Sequence, residues 1–185
     1  YTSSLLVFLG AIDDSRGLGV AFRLVSQLIS SLIIVGSGLI ITNIGDYSFL
    51  PNTGIGILSI FFTVFCVIGL TNSFNFIDGA DGLCSGLFII SLSSLLFYAN
   101  INGTLYLIED LNIIYILLIS TILFFFFNFT KKFKIFLGDS GSMFLGFIIS
   151  WLLILYTQKY EVIHPVLAIW CVTLPSFDII TVIIR

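Results

Sequence analysis

Apolar residues in this 185-residue chain gather in runs of up to about 20, split by short polar islands, which is the length an α-helix needs to cross a hydrocarbon core of roughly 30 Å. Residues 1–12 read as the tail of one span and 13–19 as the first polar island. Further spans are expected over 22–42, 53–74, 83–99, 111–129, 142–156 and 165–184. Gly45, Asp46 and Pro51 mark residues 43–52 as a turn-rich loop, and 100–110, 130–134 and 157–163 are the remaining connections. The runs do not alternate apolar with polar, as the strands of a membrane barrel do. The expected fold is therefore all-α, a polytopic transmembrane helix bundle of about seven spans with the first incomplete. It forms one integral membrane domain over residues 1–185.

Crossing parity adds a prediction about sidedness. Asp13 and Asp14, Asp78 and Asp81, and Asp139 are separated by even numbers of spans, so the three acidic islands should face one side. Lys and Arg accumulate in short cytoplasmic loops. Arg16, Arg23, Lys131, Lys132, Lys134 and Arg185 fall on the side of the acidic islands and Lys159 alone on the other, so six of the seven basic residues make that side cytoplasmic.

Composition agrees with the spans: 58% of residues are hydrophobic, 9% are charged and the mean hydropathy is +1.18, against roughly 25% charged in soluble proteins. The net charge of −3 gives no support to nucleic-acid binding. Cys66, Cys84 and Cys171 each sit inside an apolar run and read as small buried hydrophobes, with no disulfide framework or metal-ligand spacing. The chain begins at Tyr1 and stops at Arg185 directly after an apolar run, so a fragment of a longer chain is expected.

The acidic islands are where chemistry is expected, because a carboxylate at membrane depth is costly and persists where it faces a polar cavity, a partner or an ion. Adjacent on a helix, Asp13 and Asp14 point about 100° apart. They read either as a solvated helix end partly paired with Arg16 or as a carboxylate that engages a metal or a phosphate proton, supported by its neighbour. The stretch 71–83, TNSFNFIDGADGL, brings Asp78 and Asp81 onto one helical face three residues apart. Gly79 and Gly82 permit tight turns and close approach of a ligand, and Asn72 and Asn75 add amides one turn earlier. A divalent cation or a donor-rich ligand would relieve the repulsion between the acids, and the alternative is a polar turn at the membrane surface. In FLGDSGS, residues 136–142, Asp139 stands just before a span with Ser140 beside it. Free N–H groups at that helix start suit a pyrophosphate, Asp139 can hold a bridging Mg²⁺, and a plain Asp/Ser cap is the alternative. Asn128 is near enough in sequence to reach the same cavity. Asp178, inside the last span, reads as an interhelical hydrogen-bonding residue, and His164 lies on the far side from every acidic motif.

In their order and spacing, Asp13-Asp14, the run 72–83 and the run 136–142 resemble the polyprenyl-phosphate N-acetylhexosamine-1-phosphate transferase family. The likeness covers essentially the whole chain and looks most like its bacterial undecaprenyl-phosphate GlcNAc-1-phosphate branch, which begins O-antigen and other envelope glycans. The resemblance implies a Mg²⁺-dependent transfer, with Mn²⁺ as an alternative ion, of N-acetylhexosamine 1-phosphate from a UDP-N-acetylhexosamine to undecaprenyl phosphate, releasing UMP. By the same resemblance, Asp139 and Asn75 ligate the metal, Asp13 and Asp14 bind or deprotonate the lipid phosphate, and Asp78 and Asp81, with Asn72, Asn128 and Ser140, hold the other substrate groups. It implies a multi-pass protein of the bacterial inner membrane, in contact with the lipid bilayer, with its site on the cytoplasmic face and a homodimer as the assembly to test. Relatives carry earlier spans and a later histidine-containing loop, so these residues alone are expected to be inactive. A cation transporter would instead spread acids through the membrane depth. A CDP-alcohol phosphatidyltransferase would need a further Ala-Arg and Gly/Asp pattern that is missing after Asp81.

Overall fold

The computed structural model describes residues 2–17, 19–45, 54–105, 111–130 and 135–184. Asp46, Pro51, Lys131, Lys132, Lys134 and Arg185 lie outside them, and of Arg16 only the backbone is described. The all-α expectation holds: helices α1 (Thr2–Arg16), α2 (Val20–Gly36), α3 (Ser59–Ile77), α4 (Leu83–Ile101), α5 (Leu111–Phe129), α6 (Gly138–Ile154), α7 (Pro165–Cys171) and α8 (Thr173–Ile184) follow one another. The one departure among the described residues is an isolated antiparallel bridge between Asn43 and Gly54.

Four of these are long and apolar enough to cross a membrane: α3 with its 3₁₀ lead Gly56–Leu58, α4, α5, and α6 with a π-helical extension over Leu155–Lys159. The other expected crossings are shorter. The span expected over 22–42 stops at Gly36, after which Gly38 takes a φ of +91° and the chain leaves the helix. At 17 residues α2 is roughly 25 Å long.

Its burial pattern is inverted relative to a soluble helix. Ser26, Gln27, Ser30 and Ser31 are buried, while Val25, Ile29 and Ile33 on the opposite side are exposed. Polar side chains in a membrane bundle turn inward to find partners, and apolar ones face lipid at no cost. Helix α5 shows the lipid-facing limit, since its buried residues Ile114, Thr121 and Asn128 recur every seven positions, a single seam packed on α4.

The bundle is centred on α6, which packs against α1 and α3. Two glycines set those approaches. A Cβ on Gly10 would lie 2.6 Å from the Ser140 backbone, and one on Gly146 would lie 2.8 Å from the Thr71 backbone. Small residues at crossings let membrane helices approach closely and gain dispersion energy. Ile149 of α6 packs with Phe74 of α3 and Phe88, Leu92 and Leu95 of α4 in the fully buried part of the core.

The last expected span, 165–184, is broken. Pro175 lacks the N–H that would bond the Cys171 carbonyl, and the helix interrupts at Val172 (φ −122°, ψ 28°). The Ser91 hydroxyl donates to the freed Cys171 carbonyl at 2.7 Å and the Ser73 hydroxyl donates to the Pro175 carbonyl. After the break α8 lies along α3, whereas α7 lies on α4.

Candidate active site

Three helix ends meet at one end of the bundle: the C-terminus of α1 with Asp13 and Asp14, the C-terminal part of α3 with Asn75 and, just after it, Asp78, and the start of α6 with Asp139, Ser140 and Ser142. Helix α6 starts there without a cap from its own sequence, its N-cap being Leu137. Asp14 supplies the cap from α1. Its Oδ1 accepts the Asp139 N–H at 3.1 Å, and its Oδ2 accepts the Ser140 N–H at 3.3 Å and the Ser140 hydroxyl at 2.7 Å. A carboxylate at the positive end of a helix dipole is well placed. The α6 amides that the sequence suggested for a pyrophosphate are thus occupied by Asp14. Gly138 makes room for it: φ is +70°, and a Cβ there would sit 3.1 Å from Asp14 Oδ2.

Beside this cap lies a chain of charges. Asp13 is 2% exposed and its oxygens accept no hydrogen bond, so the Arg23 guanidinium is what balances its charge. The same guanidinium reaches Asp139 Oδ2 through Nη2 at 2.5 Å. On its other oxygen Asp139 accepts the Asn75 amide at 3.2 Å, and that amide also donates to the Ser142 hydroxyl at 2.9 Å. Four elements therefore lock together through Asp13, Arg23, Asp139 and Asn75.

Asp78 follows the last residue of α3. Burial first, then the charges of Asp139 and Asp81, push its carboxyl up to about 6. That shift places the α3–α4 turn within electrostatic reach of Asp139. The turn is pinned from α5, where Asn128 Oδ1 accepts the Gly82 N–H at 2.5 Å and its Nδ2 donates to the Ile135 carbonyl at 2.7 Å. Gly82 has a φ of +74° and the Phe125 ring 3.0 Å from a hypothetical Cβ, so this turn admits no side chain. Asn128 therefore ties the turn that carries Asp81 to Ile135, just ahead of the helix that carries Asp139.

Asn72, one turn before Asn75, points between helices. It donates to Gln27 Oε1 at 2.8 Å and to the Ile68 carbonyl at 2.8 Å, and Gln27 Nε2 faces Met143 sulfur at 3.3 Å. Asp81 is exposed at the same end. His164 caps α7, its Nδ1 accepting the Val166 N–H at 3.3 Å. It lies beyond the far end of α6 and its extension, a run of 22 residues or roughly 33 Å of helix. Arg23 and Gln27 were not singled out by the sequence. Their signal was present: a cation in the first turn of a helix opposes the dipole, and an amide within a span needs a partner.

The donor set fits a hard cation in part. Asp139 and Asn75 are oxygen-bearing neighbours, and Asn75 can turn its carbonyl toward a metal, because amide O and N are assigned from the hydrogen-bond network. Behind burial, the charges of Asp139 and Asp81 both raise the Asp78 carboxyl, so a cation near Asp139 would sit among three acids. Among the described residues no three His, Cys, Asp or Glu side chains form a metal-binding group. One or two protein ligands completed by phosphate and water oxygens is the habit of Mg²⁺.

Comparison with known proteins identifies the family of the chain. The family model described as glycosyl transferase family 4 matches residues 1–157. A probable undecaprenyl-phosphate N-acetylglucosaminyl 1-phosphate transferase of Bacillus subtilis (strain 168) is 34% identical, over 98% of this chain and 50% of the relative. The undecaprenyl-phosphate alpha-N-acetylglucosaminyl 1-phosphate transferase of Escherichia coli (strain K12) is 30% identical, over 99% and 50%, and that of Yersinia pestis is 33% identical, over 99% and 51%. The chain spans about half the length of these curated relatives. With the family model covering most of its length and its matched residues including the acidic cluster at the end of α1, α3 and α6, the chain belongs to glycosyl transferase family 4.

Proposed function

We propose that the whole protein transfers N-acetylhexosamine 1-phosphate, with GlcNAc 1-phosphate as the favoured group, from a UDP-sugar to undecaprenyl phosphate, on the cytoplasmic face of a bacterial inner membrane. The observation that carries the reading is the convergence of Asp13, Asp14, Asn75 and Asp139 from three helices at one end of a membrane bundle. A lipid acceptor needs a site at a bilayer surface, and phosphoryl transfer needs positioning and charge neutralisation. The relatives' names supply the acceptor and the group.

In this reaction a phosphate oxygen of the lipid attacks the β-phosphorus of the UDP-sugar. The bond from that phosphorus to the bridging oxygen breaks, UMP leaves with the bond's electrons, and a lipid pyrophosphoryl sugar forms. A bound Mg²⁺, held by Asp139 and Asn75, would supply charge neutralisation at the phosphates. Asp14 fixes the start of α6 relative to α1, so that Asp139 is presented at a set distance from Asp13. Asp13, balanced by Arg23, would bind or deprotonate the lipid phosphate in this assignment. Asp78 and Asp81, on a turn pinned by Asn128, hold the nucleotide. A transporter reading gains nothing from the structure, since these five acids gather at one end instead of lining a path.

The test uses full-length protein in membranes, radiolabelled UDP-GlcNAc and undecaprenyl phosphate. Label should enter the lipid fraction only when Mg²⁺ is present. Asp139→Asn should lower the rate about a hundredfold or more, the scale of losing a group that stabilises transition-state charge. An unchanged rate overturns the assignment of Asp139.

A further inference from the structure

The Arg23 guanidinium bridges two carboxylates from different helices. It pairs with Asp13 of α1 and, through Nη2, lies 2.5 Å from Asp139 Oδ2 at the start of α6. It does so from the first turn of α2, where the helix dipole disfavours a cation. The two carboxylates are what hold it there. The consequence for Asp139 is that both of its oxygens are engaged by donors of the protein, Arg23 on one and the Asn75 amide on the other. No carboxylate oxygen of Asp139 is left without a partner.

We propose that Arg23 is a built-in competitor for the cation site: it holds Asp139 in the metal-free protein and must release it, while keeping Asp13, for a divalent cation to bind. The inference rests on the reading of Asp139 as a metal ligand and goes beyond it in naming a residue that sets cation affinity by occupying a ligand. Asp13 is the more buried of the two acids and accepts no hydrogen bond, so it retains the guanidinium. Asp139 is more exposed, with its side chain at 37% against 1% for Asp13, and is the half of the bridge that opens at least cost. Arg23 then serves as counter-ion to whichever carboxylate lacks one, which keeps the acid cluster folded when no cation is bound.

The arginine fork is what allows one side chain to serve two acids. A lysine ammonium is a point charge that pairs well with one. Arg23→Lys keeps the charge, so any change in cation affinity reports the lost bridge and not the lost charge. The measurement is the binding of Mn²⁺ alone to purified full-length protein, followed by its electron paramagnetic resonance signal. Arg23→Lys should tighten Mn²⁺ binding about three- to tenfold by leaving Asp139 Oδ2 open, and Arg23→Gln should tighten it further if that variant folds. Unchanged or weaker binding in Arg23→Lys overturns the proposal, because a merely structural arginine would not restrain the metal. Should the wild-type protein bind no Mn²⁺ and Asp139→Asn behave identically, the metal reading fails as well, an outcome distinct from wild-type binding that the lysine leaves unaltered.

Discussion

Burial and the charges of Asp139 and Asp81 raise the Asp78 carboxyl from its ordinary 3.8 to about 6. Between those two values the folded protein binds more protons at this position than the unfolded chain, so its stability falls as pH rises through the window. Metal-free protein should therefore gain thermal stability as the pH is lowered from about 7 toward 5, and Asp78→Asn should flatten that part of the profile while raising stability at neutral pH. Thermal unfolding of both proteins in detergent, with and without EDTA, checks this. A variant that keeps the full pH response of the wild type removes Asp78 as its source. Such acids were legible in the sequence because each stands in an apolar neighbourhood that charges it a solvation penalty. Arg23 was not, since a basic residue at the mouth of a span is already explained by the positive-inside bias. Only the tertiary structure shows it bridging Asp13 and Asp139, and only the tertiary structure turns Asp14 from a helix end into the cap of another helix.

At the scale of elements, hydropathy located every helix but misjudged where some of them stop. Helix α2 ends six residues before its apolar run does, because Gly38 turns the chain and Gln158 then takes it over, accepting the Thr42 and Asn43 N–H groups and donating to the Asn43 carbonyl. The pattern of 165–184 reads through Val172 without a break, although Pro175 carried the signal. A proline in the first turn of α8 is tolerated there, but it strips the Cys171 carbonyl of its usual donor. In hydrocarbon that carbonyl has no water to turn to, and Ser91 from α4 supplies the hydrogen. Ser91→Ala should accordingly destabilise the bundle by about 1 kcal/mol, within the range measured for interhelical hydrogen bonds in membranes. Ser93→Ala, on the outer side of the same helix, should be neutral. Unfolding in mixed micelles measures both, and equal effects at the two positions would show that the α7–α8 break is held by packing and not by Ser91.

For the whole molecule, sidedness is what converts a list of acids into one site. Parity of crossings put Asp13, Asp78 and Asp139 together, and the structure brings them together through side-chain contacts and charge that no periodicity could display. What fixes the arrangement is the pair of close approaches at Gly10 and Gly146, and a close approach is invisible in a sequence where glycine also serves turns. Helix α4 offers the sharpest test of sidedness. It is a predominantly apolar helix of 19 residues between the turn holding Ala80 and the turn holding Asn102, both exposed. A helix of that length crosses the hydrocarbon core once, so the two turns must open on opposite faces. With Cys66, Cys84 and Cys171 replaced by serine or alanine in the full-length protein, Ala80→Cys and Asn102→Cys can be probed one at a time with a membrane-impermeant maleimide. Asn102→Cys should react in intact spheroplasts and Ala80→Cys only after the membrane is opened. Labelling of both from outside would break the parity on which the shared site rests. The reverse order would keep the site intact and turn it to the other face, where neither a cytosolic nucleotide sugar nor the positive-inside bias could account for it.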